Sequence, residues 1–197
     1  MRAIRADNGA QLRLLDLQTV DTKLAQLGHR RQTLPEHGVI AKLQTRRSAL
    51  ASDLIAAETT ISDLELEQTK AETDLEPVRE RLSRNQVRIA NGTVADPKAL
   101  SSMVDEVGHL KKRISDLEDA ELDVMEQLEA AVTDRETLRG RIAQVDNDLL
   151  ETTAERDRQL AALDGEMGGL RAERAGLAPL IPPDLLTLYS RIGASHG

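Results

Sequence analysis

The chain has no cysteine, no phenylalanine and no tryptophan, and its one tyrosine is Tyr189. Without thiols there are no disulfides and no thiolate metal sites in these 197 residues. Without aromatic rings there is no ordinary compact core, where such rings supply much of the buried area. No run of 18 apolar residues is present, so no segment reads as a transmembrane helix. The opening MRAIRADNGAQ lacks the apolar stretch of a signal peptide. A formal net charge of −8 argues against a chain that coats nucleic acid along its length. A cytoplasmic protein is expected.

What remains is Leu, Ala, Ile and Val mixed with 30% charged residues, the composition of long helices and coiled coils. Disorder is disfavoured because the apolar residues are periodic rather than sparse. Leu17, Val20, Leu24 and Leu27 recur at steps of three and four and predict a helix over about 10–33. Leu34-Pro35 ends it, because proline pushes the preceding residue out of helical geometry.

A second helix is predicted over about 36–91. From Ile40 to Ile89, fifteen positions alternate steps of three and four without a slip, and only Arg47, Gln68 and Asn85 among them are polar. This is a heptad seam, which supercoils left-handedly. Pro77 lies within the seam and predicts a kink rather than an end. Residues 92–96 form the turn. Asn91-Gly92 suits a helix stop, Asp96 an N-cap and Pro97 the first helical position. The third helix, about 97–178, carries the matching seam from Leu100 to Leu149, broken only by Glu121 and Arg135. Past Thr152 the spacing slips by one, a stutter near Arg156. Ile181-Pro182-Pro183 then stops it, and a short helix is predicted over 184–192, with 181–197 as a short helix and linker.

The predicted fold is all-α: a long antiparallel coiled-coil hairpin, kinked near Pro35 and the Arg156 stutter, with a short C-terminal helix. Stop and start signals this close together require antiparallel neighbours. Folding at the turn sets residue i opposite about 189 − i. Gln68 then meets Glu121 in one polar layer that sets register. The rival is a first helix that folds back into a three-helix base. A seam near Met167 is a candidate for pairing between chains, as monomer or homodimer.

No catalytic constellation, phosphate loop or HExxH motif occurs, so no enzyme is expected. His29, His37, His109 and His196 are scattered without an i, i+4 pair, which argues against a metal site. Charge is segregated. Residues 78–113 carry Arg79, Arg81, Arg84, Arg88, Lys98, Lys111, Lys112 and Arg113 against four acids. Residues 116–129 hold seven acids and no base, and 60–73 add four acids and Lys70. A basic tip of this kind suits phosphate or an acidic protein. Lacking aromatics, it does not suit base stacking. The bland alternative is a solvated face with ion pairs such as Glu80–Arg84.

Three stretches resemble one bacterial family, the coiled-coil proteins with a C-terminal four-cysteine zinc ribbon. They are LLDLQTVDTKLAQLGHRRQTLP at 14–35, PKALSSMVDEVGHLKKRISDLEDAELDVMEQLE at 97–129, and IPPDLLTLYSRI at 181–192. The ribbon's two Cys-x-x-Cys pairs map onto no residue here, so the expectation is a chain that stops short of the ribbon. Zinc is implied only if a ribbon follows Gly197. The resemblance implies a non-enzymatic cytoplasmic adaptor engaging protein partners, whose relatives are linked to RNA regulation, secretion and flagellar systems. The alternative is a nucleic-acid-binding regulator using the basic tip or the ribbon.

Overall fold

The structure, a computed structural model, describes residues 7–195. Four α-helices account for nearly all of them: α1 (Asn8–Gln32), α2 (Pro35–Ala90), α3 (Pro97–Leu177) and α4 (Pro183–Ser195), with one 3-10 turn at Ala178–Leu180. No strand occurs among the described residues. Two compact units divide the chain. Among the described residues, unit 1 comprises 7–45 and 147–195; unit 2 comprises 46–146.

Each helix end has a local cause. Asp7 caps α1 by accepting from the Ala10 amide, which satisfies one of the orphan N–H groups of the first turn. Thr33 ends α1, its amide and its hydroxyl both donating to the His29 carbonyl, at 3.0 and 2.9 Å. Pro35 then opens α2, where its missing N–H is not needed. At the turn, the Thr93 amide donates to Arg88 O (3.3 Å) and the Gly92 amide to Ile89 O (3.1 Å). That pair of bonds is the Schellman arrangement, and Gly92 takes the left-handed backbone it needs, φ 63°. Asp96 restarts the chain by accepting from the amides of Lys98 and Ala99.

Unit 2 is a two-helix coiled coil made from α2 and α3. Four ion pairs, Arg47–Asp146, Glu58–Arg139, Arg79–Glu118 and Arg81–Glu106, run antiparallel across it. They also set the register. On one flank of the seam Glu58–Arg139 and Arg79–Glu118 have residue numbers totalling 197; on the other, Arg81–Glu106 totals 187. The core lies between the flanks, so its layers total 192. Leu75 therefore shares a layer with Leu117, Leu64 with Leu128, and Asn85 with Val107.

This register differs by three residues from the expected 189 − i, for a geometric reason. Reversing one helix reverses the order of its three- and four-residue steps. Equal steps align only when the a positions of one helix meet the d positions of the other. The shared Gln68–Glu121 layer is thereby replaced by two adjacent mixed layers, Gln68 with Val124 and Glu121 with Ala71. Gln68 instead donates to Glu72 on its own helix (3.3 Å). Arg135 similarly falls opposite Ala57, so both long polar side chains of the α3 seam face alanines, which leave them room to reach solvent. α2 runs through Pro77 without interruption, and Leu75 just before it is 2% exposed.

Unit 1 holds α1, the start of α2, the end of α3 and α4. α1 lies antiparallel to α3, held by Asp21–Arg174 and Arg31–Asp164. The first turn of α2 is antiparallel to the same helix through Gln159 and Glu36 (2.8 Å). α1 thus keeps the direction of α2 within this unit and does not fold back. The third helix of the unit is α4. Leu17, Val20, Leu34, Leu163 and Ile181 are buried here. Along α3 the inward positions Thr152, Arg156, Leu160 and Leu163 include two successive four-residue steps, so the stutter spans Arg156–Leu160. Met167, expected on a seam open to a second chain, is buried in this unit instead.

Candidate functional site

The basic residues flanking the turn all lie in unit 2, and all eight are exposed. Ion pairs occupy three of them. Arg79 meets Glu118 at 2.6 Å, Arg81 meets Glu106, and Arg84 meets Glu80 at 3.1 Å one helical turn away. Arg88, Lys98, Lys111, Lys112 and Arg113 make no ion pair among the described residues. Heptad spacing spreads these five over both helices rather than into one cluster. Exposed apolar side chains stand among them: Val87, Leu100 and Val104.

Further along the same unit the charge reverses. The register sets residues 63–76, not 60–73, opposite 116–129. Asp74 and Glu76 join the belt as a result, and the two stretches together hold thirteen acids against Lys70 alone. Leu66, Leu122 and Met125 are exposed on this belt. At the unit's other end Arg47, a seam position by sequence, turns outward to Asp146 at 2.5 Å. That hydrogen bond, then the carboxylate's charge, raises its pKa further above the ordinary value.

Unit 1 carries one polar junction that sequence reasoning did not find. Asp21 of α1 accepts from Arg174 Nε of α3 (2.6 Å) and from the Tyr189 hydroxyl of α4 (3.0 Å). One carboxylate therefore ties three helices together. The bond to Asp21 raises the Arg174 pKa. Burial, then the bond to Asp21, raises that of Tyr189. The only hint in the sequence was that the sole aromatic residue lies in a short segment after two prolines. Beside the junction an open groove of about 460 Å³ runs between α1 and α4, lined by Leu14, Ala25, Leu185, Leu188 and Ile192 among others. Elsewhere in the unit, Gln159 donates to both Glu36 (2.8 Å) and Glu155 (3.0 Å). Its bond, followed by that of Arg158, lowers the Glu155 pKa.

Long helices that return through a Schellman turn, followed by a short helix after two prolines, make a specific architecture. A model of the CT398-like coiled coil hairpin domain matches residues 17–197. The chain belongs to this family. Among solved structures, a Mycobacterium smegmatis protein superposes with a TM-score of 0.79 at 27% identity, covering 98% of this chain and 80% of that one. CT398 from Chlamydia trachomatis gives 0.67 at 16% identity, and HP0958 from Helicobacter pylori 0.59 at 14%; each covers 95% of this chain and 78% of its own. An uncharacterised Mycobacterium tuberculosis protein is 26% identical over 194 residues, covering 98% of this chain and 79% of its own length.

The CT398-like hairpin leaves the histidines apart. His29, His37 and His109 are not buried, and the His37 ring lies 3.3 Å from the Arg31 carbonyl oxygen. His196 lies outside the described residues. Among the described residues no three His, Asp or Glu side chains gather as metal ligands, and no helix is long and apolar enough to cross a membrane.

Proposed function

We propose that this CT398-like hairpin is a non-enzymatic, cytoplasmic interaction protein, an adaptor whose basic turn end engages an acidic surface of a protein partner. The observation that carries this reading is the set of five exposed bases without ion pairs, interleaved with exposed Val87, Leu100 and Val104. Unpaired cations beside apolar side chains suit a protein surface, where charge steers encounter and apolar contact holds it. The groove on unit 1 is open rather than water-excluding, which favours binding over catalysis. No zinc is needed for this role. Residues 1–197 hold no cysteine, so no thiolate zinc site is built from them.

The same free bases favour a second reading, binding of RNA or DNA through phosphate contacts. Arg84 is engaged with Glu80, so the informative variant reverses Arg88, Lys112 and Arg113 to Glu. In-cell cross-linking with a photoreactive residue at Val87 should trap a protein that the triple variant loses. Adducts that survive the triple reversal would refute the role of the bases. Salt-sensitive retention of RNA by the purified chain, also lost in the variant, would favour the second reading.

A further inference from the structure

One flank of unit 2 is ordered in a way that fits a second copy of itself. The flank is the side of the seam marked by the Arg79–Glu118 ion pair. From the turn inward, it presents Val104, then Lys111 and Arg79, then Glu76, Glu118 and Glu72, then Leu122 and Met125. The α2 members are placed here by the 192 register. Base, acid and apolar groups thus fall in bands, and the bands are symmetric about a point near Ser115.

We propose that this flank is the self-association surface of the protein, joining two copies antiparallel about a two-fold axis near Ser115. A second copy laid antiparallel there puts its Glu118 and Glu72 over Lys111 and Arg79, and receives the reciprocal contacts. The same operation sets Val104 of each copy against Leu122 and Met125 of the other. These three side chains are 51%, 56% and 45% exposed in the single chain, so apolar area is available to bury. On the turn side of the base band the flank is small-sided, with Gly108 of α3 and Ser83 of α2, and nothing stands within 4 Å of the space a Gly108 side chain would take. At the axis itself Ser115 of α3 lies beside the exposed Glu76 of α2, which the antiparallel arrangement brings near the second copy's Arg79 as well as its Glu76. The surface is isologous, so it closes at two copies and does not propagate.

The net charge of −8 per chain opposes pairing at long range. At an ionic strength of about 0.1 M the screening length is about 10 Å, so remote charges are damped while contact pairs are not. Self-pairing needs no foreign partner and goes beyond the adaptor role. It shares Lys111 and Val104 with the basic turn end but does not use Arg88, Lys112 or Arg113, and survives if those three prove silent.

The test is complementary charge reversal, followed by sedimentation equilibrium or light scattering on the purified chain. Wild type should show a mass that doubles with concentration at about 0.1 M salt and falls back at about 1 M. Lys111→Glu with Arg79→Glu should remain a single chain, as should Glu118→Lys with Glu72→Lys. Mixing the two variants should restore the doubled mass, which misfolding of either could not do. Since the chain has no cysteine, Ser115→Cys should cross-link copy to copy under mild oxidation, whereas Ser102→Cys should not. A wild-type mass that stays single up to about 0.1 mM overturns the proposal, as does a dimer that both charge-reversed variants retain. So does a monomer whose free bases retain RNA instead.

Discussion

Replacing Asn85 by leucine should make unit 2 more stable. Asn85 occupies a seam position in the layer of Val107, is 8% exposed, and its amide nitrogen is buried with no hydrogen-bond partner. An unpaired buried polar group costs about 1–3 kcal/mol. Leucine removes that cost, and the extra volume it brings to the layer is small. Part of the gain is offset by leucine's different branching against Val107, leaving about 2 kcal/mol. With a urea slope of about 1–3 kcal/mol/M, the unfolding midpoint followed by circular dichroism should rise by about 1 M. Asn85→Ala separates the two contributions. It removes the amide but leaves a cavity, so its midpoint should stay close to wild type. A lower midpoint for Asn85→Leu would refute the reasoning, because it would mean that the amide makes a stabilising contact. The function of such a residue is expected to be register, since a lone polar group in a seam disfavours slipped pairings. Asn85→Leu should then also show broader sedimentation or mixed masses.

Other consequences follow from single residues. Gln68→Cys with Val124→Cys should oxidise readily to an intrachain disulfide and Gln68→Cys with Glu121→Cys poorly, as read by mobility on non-reducing gels; the opposite preference would restore the 189 − i pairing. Gly92→Ala should cost about 1 kcal/mol in urea unfolding, because φ 63° is strained for any residue with a Cβ. Leu17→Ala, at a position that is 0% exposed, should cost about 2–5 kcal/mol and expose unit 1 to protease. Tyr189→Phe should lose about 1 kcal/mol with its bond to Asp21. The folded-state pKa of Tyr189 is raised, so the wild-type contribution is fully present below the ordinary tyrosine value of 10.0 and is lost as pH climbs through the raised one. A thermal midpoint that falls above pH 10 in wild type but not in Tyr189→Phe would show this.

Elements with local causes were legible from the residues alone. The break before Pro35, the Asn91-Gly92 stop, the Asp96-Pro97 start and the two heptad seams each depend on a few neighbouring residues. Buried positions along α2 and α3 follow the seam almost without exception, Arg47 being the main departure. Features that depend on residues far apart were less legible. Asp21, Arg174 and Tyr189 carry no pattern that joins them, because hydrogen bonds between separate helices leave no period in the sequence. The eight bases were recognisable as a group. Which of them are engaged was not, since Arg79 and Arg81 find their acids on the opposite helix.

The antiparallel hairpin of unit 2 was therefore determined by the sequence itself: periodic apolar residues make the helices, and the capped turn makes them return. Register and partnership belonged to the tertiary structure. A heptad seam repeats every seven residues, so the apolar pattern admits slides by a whole heptad from 192 and, once the zigzag of reversed a and d positions is taken into account, rejects 189. The choice among the allowed slides falls to the ion pairs on both flanks. That three-residue difference moves Gln68 away from Glu121, draws Asp74 and Glu76 into the acidic belt, and sets the order of charge along the flank.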